Sequence, residues 1–303
     1  MTKHAYLIMA HNNFDFLNKE LKLLDDERND IYIHIDKKAG EIDKKAILQG
    51  IENSKVTFIL RKKINWAGYS GIQCELELLK EATKVEKYAY YHLLSGADLP
   101  IKNKKDILKF FDEHQGKEFI SFDQPVPRES DINRAKRYYF FQEIYGRNRK
   151  NPIMILLFGI DKFLVKLQNM LNVNRFRKEN SIKLQKGPNW FSITHEFASY
   201  VLKKEKWIKR TFSYSRSGDE VFLQTLVNNS QYKENLYQNG FTQKTNACLR
   251  KIDWGRGKPY TWRVEDYHEL MESECLFARK FDLKVDKEIV EKIMCTLWKD
   301  SNA

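Results

Sequence analysis

The sequence predicts an α/β fold, a mixed but mainly parallel β-sheet with helices on its faces, and three observations support this. Short apolar runs alternate with helix-periodic segments through the first 124 residues. Such alternation implies parallel strands joined by crossover helices. The 303 residues are 42% hydrophobic, which suffices for a substantial core. Glycine and proline are sparse, at 13 and 6, so we predict one domain over residues 1–303 without a long linker.

Residues 1–124 are predicted to form a nucleotide-binding half. The predicted strands are 5–10, 31–35, 56–60, 88–94 and 119–122, and the predicted helices are 14–24, 71–83 and 104–113. In open parallel sheets, ligands bind beyond the carboxyl ends of the strands. Those ends carry His11, Asp36, the loop 62–66 and Asp98. These residues either form a nucleotide site or are the polar residues that ordinarily terminate strands.

Residues 125–186 depart from this pattern and predict an inserted basic and aromatic helical lobe. Its basic and aromatic residues alternate, and they are Arg128, Arg134, Lys136, Arg137, Tyr138, Tyr139, Phe140, Phe141, Tyr145, Arg147, Arg149 and Lys150. Next comes the apolar segment 153–171, which carries three charges. A pair of core helices is the favoured interpretation of this segment, and a helix lying on an anionic membrane is the alternative.

Residues 187–303 are predicted to form the acceptor and catalytic half. They contain a predicted strand at 189–194, helices at 195–203 and 219–227, and a glycine- and arginine-rich loop at 254–259. Two further helical runs follow this loop.

The charge of the chain indicates anionic partners. The formal net charge is +12 and the isoelectric point is near 9.3. Nucleic acid, an anionic membrane or a phosphorylated small molecule would each fit. The four cysteines contain no CxxC pair, which favours a reduced cytosolic compartment. The N-terminal apolar run is too short for a signal peptide. We therefore expect a cytoplasmic protein, with a possible peripheral contact at the inner face of the membrane.

One short motif offers a catalytic carboxylate. Ser217-Gly218-Asp219-Glu220 precedes a predicted helix, so Ser217 or Asp219 could cap it, or Glu220 could act as a general base. The sequence has no Asp-x-Asp motif, and we expect no metal and no cofactor. If the chain transfers a group from a sugar nucleotide, basic side chains would therefore have to offset the charge of the leaving diphosphate. The candidates are Arg250, Lys251, Arg256, Lys258, Arg279 and Lys280.

Eight segments together carry a family resemblance. They are AYLIMAHNN (5–13), IYIHIDKK (31–38), INWAGYSGIQ (64–73), YYHLLSGADLPIK (90–102), GPNWFSIT (187–194), SGDEVF (217–222), LRKIDWG (249–255) and SECLFARKFD (273–282). In content, order and spacing they resemble the core-2/I-branching β-1,6-N-acetylglucosaminyltransferases and the related peptide O-xylosyltransferases. The resemblance spans about residues 4–283, and the chain looks like a bacterial-type member.

The resemblance implies a GT-A type fold, a Rossmann-like α/β/α sandwich, and an inverting reaction without metal. By position it implies Glu220 as the base, and Lys280 with Arg250, or its rival Lys251, as the diphosphate ligands. It also implies that Met9, Asp36 and Trp66 contact the uridine; Trp66 could stack on the base.

We add His11 to this nucleotide site. We place Trp190, Asp98 and Arg137 in the donor and acceptor pocket.

The resemblance therefore predicts transfer from a UDP-sugar to a hydroxyl of a glycan or lipid-linked glycan, in bacterial surface polysaccharide synthesis. N-acetylglucosamine is the default sugar of the family and xylose is a known alternative. Two other classes of function stay open: a nucleic-acid-binding protein, suggested by the basic and aromatic lobe, and a membrane-surface protein without catalysis.

Overall fold

A computed structural model describes residues 2–177, 181–239 and 245–302. The strands of this part of the chain are β1 His4–Ala10, β2 Asn29–Ile35, β3 Lys55–Phe58, β4 Tyr90–Ser95, β5 Asp98–Pro100, β6 Phe119–Ile120, β7 Phe191–Thr194, β8 Arg250–Ile252 and β9 Phe277–Arg279. The α-helices are α1 Phe14–Leu24, α2 Lys44–Ile47, α3 Tyr69–Val85, α4 Lys104–Glu113, α5 Glu129–Lys136, α6 Gln142–Tyr145, α7 Pro152–Met170, α8 His195–Lys203, α9 Glu205–Phe212, α10 Phe222–Asn228, α11 Tyr267–Met271 and α12 Glu288–Asn302.

The larger sheet has six strands in the order β3-β2-β1-β4-β7-β6. Strands β3, β2, β1 and β4 are parallel, and β7 runs antiparallel to both of its neighbours. Helix α1 connects β1 to β2 and helix α3 connects β3 to β4, as parallel pairing requires. The predicted fold class, an α/β fold with a mixed, mainly parallel sheet, is confirmed.

Both faces of this sheet are covered. Ala5 and Leu7 of β1 join one hydrophobic cluster with side chains of α3, α8 and α10. Tyr6 and Ile8 point to the opposite face and join a second cluster with α1 and α4. Because neither face meets water, the strands are continuous apolar runs in the sequence rather than alternating ones.

A second sheet of three short strands, in the order β5-β9-β8, was not predicted. Each of its strands has three residues, too few to show a period in the sequence. Helix α12 packs on this part of the molecule through a third cluster that includes Trp262, Ile289 and Ile293. Strand β9 of the small sheet ends immediately before Lys280, the residue predicted to bind the diphosphate.

The predicted elements are present, but some boundaries were wrong. The third strand ends at Phe58 rather than at residue 60, and Leu60 is exposed. The helix predicted at 219–227 is a 3-10 turn, Gly218–Glu220, followed by α10. Ser217 makes no side-chain capping bond to this turn, so the capping interpretation of the motif loses its support.

The segment 125–186, apart from residues 178–180, which lie outside the described ranges, contains α5, α6 and α7. The apolar part is one helix, α7, and not a pair of core helices. Most of its apolar side chains are exposed, which corrects the favoured interpretation of residues 153–171. Within the described ranges, none of the helices combines the length and the apolar character needed to cross a lipid bilayer. The boundaries proposed for the three regions stay predictions.

Candidate active site

The carboxyl ends of β1, β2 and β4 meet at one edge of the sheet. Asp36 donates its backbone N–H to Ala10 O at 2.9 Å, and Gly96 donates to Met9 O at 3.1 Å. A Cβ on residue 96 would lie 2.9 Å from the Ala10 Cβ, so this approach requires glycine. The Met9 side chain is partly buried against the core. The strand ends named in the sequence analysis therefore lie together.

Asp36 attaches the following loop to the end of β2. Its buried carboxylate accepts hydrogen bonds from Lys38 N at 2.8 Å and from Ile64 N at 3.3 Å. The Lys38 ammonium lies 3.6 Å from the same carboxylate. Asp36 thereby sets the start of the loop that carries Trp66. Its predicted contact with uridine stays a prediction.

His11 lies next to this carboxylate and close to several cations. Burial lowers the pKa of the His11 imidazole, although the Asp36 charge opposes the shift. Three cations add to the lowering of the pKa, and these are Arg279, Lys280 and Lys38. The sequence-predicted residues His11, Asp36 and Lys280 are thus brought together at the strand ends, where an anionic ligand would meet the cations.

Backbone hydrogen bonds fix the chain at Lys280 and at the residue that follows it. Trp262 N donates to Lys280 O at 2.9 Å, and Phe281 N donates to Ala97 O at 3.0 Å. The Lys280 side chain is partly exposed at the cleft edge. This position suits a cation that meets a ligand, because the backbone is fixed while the side chain reaches solvent.

Asp98 and Trp190 do not face the cleft as predicted. Asp98 is 0% exposed and accepts from Ser95 N at 2.7 Å and from the Arg279 guanidinium at 2.8 Å. Arg279 also lies 4.7 Å from the Trp190 ring centroid, and Trp190 is buried. The assignment of Asp98 to the donor pocket is therefore corrected: it positions Arg279. Trp190 supports the same guanidinium from its other side.

Arg250 is the largest correction to the predicted diphosphate ligands. It is 1% exposed, between the two sheets. Its guanidinium donates to Ser192 Oγ at 2.9 Å, Phe191 O at 2.8 Å and Leu93 O at 3.1 Å, and also to Cys248 O. Through these four bonds the side chain joins β8 to β4 and β7, while its buried Nε has no hydrogen-bond partner among the described residues.

Two further candidate cations, Lys251 and Arg256, are already paired with carboxylates. Lys251 contacts Glu269 at 2.9 Å. Arg256, on the glycine- and arginine-rich loop, pairs with Asp253, Asp266 and Glu269. A diphosphate would have to compete with these carboxylates.

Arg137 is a second buried cation that the sequence analysis had placed in the pocket. Its Nε donates to Asn169 Oδ1 at 2.8 Å, and its guanidinium also donates to Val173 O. Both partners lie at the C-terminal end of α7 or just beyond it. This corrects the pocket assignment: Arg137 holds α7 against the rest of the lobe.

Glu220 stands on a turn that contacts two other segments. Ser217 has left-handed backbone angles, φ 51° and ψ 47°, and donates its N–H to Ala67 O at 2.9 Å. Gly187 N donates to Glu220 O at 3.0 Å. Glu220 is thus placed between the Trp66 loop and the segment before β7, with its side chain 36% exposed.

Two cations that the sequence analysis missed contact the Glu220 carboxylate. Arg134 NH1 and Lys186 Nζ each lie 3.4 Å from Oε2. Burial works against the charge of Lys186, but Glu220 and Asp123 outweigh it and raise the pKa of that ammonium. Arg134 lies 86 positions away in the chain, and no local pattern connects it with Glu220. Its place in the basic run at 134–149 was the available signal.

Two buried carboxyl groups lie behind Glu220. Burial, followed by the charge of Glu220, raises the pKa of Asp219 to about 7. Glu75 of α3 is also buried, and burial followed by the charge of Asp219 raises its pKa well above the usual range. Asp219 contacts the same helix, because a Cβ on Gly71 would lie 3.8 Å from Asp219 Oδ2. The Asp219 carboxyl beside Glu220 therefore stays protonated to higher pH than usual.

The Trp66 ring is accessible and stands beside cations. Its side chain is 42% exposed, and the Arg147 guanidinium lies 4.3 Å from its centroid. Gln142 Nε2 donates to Trp66 O at 2.8 Å, which attaches the loop to α6. The ring is available for stacking on a planar ligand. Across the described part of the chain, no three acidic, histidine or cysteine side chains come close enough to share a metal ion.

Comparisons with known proteins agree with the resemblance seen in the sequence. The Core-2/I-Branching enzyme family model matches residues 4–275. Human xylosyltransferase 2 is 23% identical over 308 residues, covering 95% of this chain and 33% of that protein. The Caenorhabditis briggsae xylosyltransferase sqv-6 is 24% identical over 283 residues, covering 86% of this chain and 32% of that protein. The chain thus spans about a third of the length of these relatives.

A solved structure shows a weaker similarity, in both sequence identity and fold. The apo form of mouse xyloside xylosyltransferase 1 aligns over 91% of this chain and 96% of its own, with 12% identity and a TM-score of 0.37. The family match is the stronger finding, because it covers nearly all of the fold and every segment of the candidate site except residues after 275. The chain belongs to the Core-2/I-Branching enzyme family.

Proposed function

We propose that this chain is an inverting, metal-independent glycosyltransferase that moves a sugar from a UDP-sugar to a hydroxyl of a glycan in surface polysaccharide synthesis. The observation that carries the proposal is the position of Glu220. It is a partly exposed carboxylate that contacts Arg134 and Lys186, on a turn whose first residue, Ser217, is left-handed and hydrogen-bonded to the Trp66 loop. Family membership supports the reaction class, and N-acetylglucosamine is our first choice of sugar with xylose as the second.

In this mechanism Glu220 accepts the proton of the acceptor hydroxyl. The acceptor oxygen bonds to the anomeric carbon while the bond from that carbon to the diphosphate oxygen breaks, and UDP leaves with the electron pair. Attack from the face opposite the leaving group inverts the anomeric centre. Arg134 and Lys186, both 3.4 Å from Oε2, orient the carboxylate for this role.

The leaving diphosphate meets the cations at the strand ends. Lys280 is our first ligand, because its backbone is fixed and its side chain is partly exposed. Lys251 is the second, and it would have to leave Glu269. Cations fixed in this way stabilise the charge that develops on the leaving group. The uridine would lie between Asp36 and the Trp66 ring.

The acceptor would approach from the side of the lobe. A cavity of about 240 Å³ lies there, and its lining includes Tyr139, Tyr145, Phe158, Lys162, Lys166 and Arg216. Arg216 directly precedes the turn of Glu220 and donates its backbone N–H to Arg134 O at 3.0 Å. Aromatic faces and cations together suit a sugar that carries negative charge.

The test is Glu220→Gln, which keeps the shape of the side chain and removes the base. Loss of a general base lowers the rate of transfer by about 10²–10⁴-fold. Stabilisation of the protein by UDP-N-acetylglucosamine or UDP-xylose in a thermal-shift assay should stay nearly unchanged. The matched control is Glu196→Gln, whose carboxylate is exposed and paired with Lys87 far from the cleft. Near-normal transfer by Glu220→Gln would show that the base is another residue.

A further inference from the structure

Helix α7 has the reverse of the usual orientation, with polar side chains facing the protein and large apolar side chains facing outward. Its buried side chains are those of Asp161 and Gln168, both polar. Its large apolar side chains are on the outside, with Phe163 66% exposed and Met170 72% exposed. A helix on the surface of a globular protein normally places its apolar stripe inward. The reversal shows that the apolar face is available for something other than the core of this chain.

Hydrogen bonds hold α7 in this orientation. The Asp161 carboxylate accepts from Phe140 N at 3.0 Å and from Phe141 N at 3.1 Å. Gln168 Oε1 accepts from Tyr138 N at 2.8 Å, and its Nε2 donates to Tyr138 O at 2.9 Å. Turning the helix would leave these buried backbone groups without partners. The apolar face is therefore fixed outward by the sequence of the lobe itself.

Six of the exposed apolar residues of α7 form one continuous stripe along the helix, and Ile155 is exposed outside it. The six are Ile153, Leu156, Ile160, Phe163, Leu167 and Met170, separated alternately by three and four positions. This spacing places them on one helical face. Single exposed apolar residues are common on protein surfaces, but a contiguous stripe marks an interaction site.

Positive charge surrounds the stripe. The segment 147–177 has seven basic residues, and its one acidic residue is Asp161, which is buried on the inner face. Six of the basic residues are exposed, namely Arg147, Arg149, Lys150, Lys162, Lys166 and Arg177. They stand before the helix, along one flank of the stripe and after its end. A second copy of this surface would bring like charges together, whereas an anionic bilayer would complement them.

We propose that α7 docks this protein on an anionic lipid bilayer, with the stripe of Ile153, Leu156, Ile160, Phe163, Leu167 and Met170 in the headgroup and acyl boundary and the flanking cations on the phosphates. The helix lies in the plane of the membrane surface. This docking does not depend on the proposed transfer reaction. If both hold, the cavity lined by Lys162 and Lys166 lies between the membrane and Glu220, so a lipid-linked acceptor could enter it.

Sedimentation of the full chain with vesicles tests the docking. Vesicles of phosphatidylcholine alone are compared with vesicles that also contain phosphatidylglycerol. We expect binding to the anionic vesicles, decreasing with salt, and little binding to the neutral ones. The stripe variant Leu156→Gln/Phe163→Gln/Leu167→Gln should bind at least about tenfold more weakly, because affinity scales with buried apolar area and glutamine keeps the helix.

The matched control is Leu60→Gln/Val85→Gln/Val126→Gln, which makes the same change at three exposed apolar positions off the stripe. It should bind like the unchanged protein. Equal loss in both triple variants, or equal binding to neutral and anionic vesicles, would overturn the proposal. A dimer in light scattering that the stripe variant converts to a monomer would also overturn it, because a second copy would then cover the stripe.

A second measurement covers the case in which the stripe variant is unstable. Phe163→Trp keeps an aromatic residue on the stripe, and brominated lipids in anionic vesicles should quench its added fluorescence. Leu60→Trp, on an exposed loop elsewhere, should add fluorescence that is not quenched. Equal quenching of the two added tryptophans would contradict docking through α7.

Discussion

At the scale of single residues, the same charge serves different purposes in Arg250 and Lys280. The Arg250 guanidinium fits a buried site because its planar group of donors can meet four acceptors at once. Lys280 has one flexible ammonium at the cleft edge. Burying either charge without hydrogen-bond partners would cost free energy. Only Arg250 has a planar group of donors that pairs with several acceptors at once, which offsets most of that cost.

We therefore predict opposite effects for two matched substitutions. Arg250→Met leaves buried carbonyl groups unpaired and should lower the free energy of unfolding by about 3 kcal/mol. Lys280→Met should change that free energy by less than about 0.5 kcal/mol. It should weaken UDP binding by about 10- to 100-fold, because a charge-assisted bond is lost. Urea unfolding and calorimetric titration with UDP measure the two quantities.

The reverse pattern would restore the assignment of Arg250 to the diphosphate. In that case Arg250→Met would fold with unchanged stability and lose UDP affinity. Arg250→Lys is a useful addition, since it keeps the charge but not the fork of donors. We expect it to be destabilised as well, because one ammonium cannot reach the acceptors on β4 and β7 together.

Asp219 should make stability depend on pH. Burial and Glu220 raise its folded-state pKa from 3.8 to about 7. Its Oδ1 is buried, and no described residue hydrogen-bonds it. When folding raises the pKa of an acid, the stability of the folded state is highest below the unfolded-state pKa. It falls as the pH rises from there through the folded-state pKa, because ionisation then favours the unfolded chain. The change attributable to Asp219 between pH 4 and pH 8 is on the order of 4 kcal/mol, from about 1.4 kcal/mol for each unit of pKa.

Asp219→Asn removes this titration and should flatten the curve of unfolding free energy against pH. The difference between the unchanged protein and the variant isolates Asp219, because other buried acids such as Glu118 titrate in both. Chemical unfolding at several pH values gives the comparison. Parallel curves for the two proteins would mean that Asp219 is ionised normally in the folded state.

At the scale of elements, the Trp66 loop and the start of α3 depend on the lobe. Glu143 of α6 accepts from Ser70 N at 3.0 Å and from Asn65 Nδ2 at 3.2 Å. Its carboxylate therefore stands at the N-terminus of α3, where the helix dipole favours negative charge. Gly68 allows the approach, because a Cβ there would lie 2.2 Å from Glu143 Oε2.

This contact predicts coupling between residues 68 and 143. Glu143→Ala should lower the free energy of unfolding by about 1–2 kcal/mol through the lost bonds. Gly68→Ala should cost more than an ordinary surface change, because the new methyl group meets the carboxylate. In the double variant the cost of the alanine at 68 should shrink, since the colliding oxygen atoms are gone. Urea unfolding of the four proteins measures the coupling.

Strictly additive costs would show that the loop at 65–68 moves away from α6 at little expense. The same four proteins allow a second readout. If Trp66 stacks on uridine, Glu143→Ala should raise the KM for the UDP-sugar more than it lowers kcat, because the loop is less well placed.

At the scale of the whole molecule, the proposed site combines Glu220 from residues 187–303 with the strand ends from residues 1–124. Residues 125–186 supply both cations that contact Glu220, Arg134 from helix α5 and Lys186 from the end of the segment. The six-stranded sheet joins β1 to β4 with β7 and β6. The small sheet joins β5 with β8 and β9, and β9 ends just before Lys280. All the charge compensation that we propose comes from side chains.

Transfer should therefore proceed at full rate in excess chelator. In the proposed mechanism, cations of the protein neutralise the leaving diphosphate, so removal of divalent ions would take nothing from the site. The measurement is the initial rate with EDTA, followed by addition of manganese or magnesium. Loss of activity in EDTA and recovery with manganese would contradict the proposed mechanism. A thermal-shift control distinguishes loss of activity from loss of fold.

The sequence by itself determined the fold class and most of the elements. Strand runs such as 5–10 and 31–35 follow from their continuous apolar character, because both faces of the sheet are buried, and the amphipathic helix at 14–24 follows from its period of 3.6 residues. The content and order of the eight segments also indicated the family, which the match over residues 4–275 confirmed. Glu220 was located by motif, and its catalytic role remains a prediction.

The tertiary structure alone decided which charges are buried and which face outward. Arg250, Asp98 and Arg137 have the same appearance in the sequence as the cleft residues, but their partners come from distant segments. The partners of Glu220 and the outward face of α7 depend on such contacts as well. Burial and charge pairing are properties of segments brought together by folding, and no local pattern of residues specifies them.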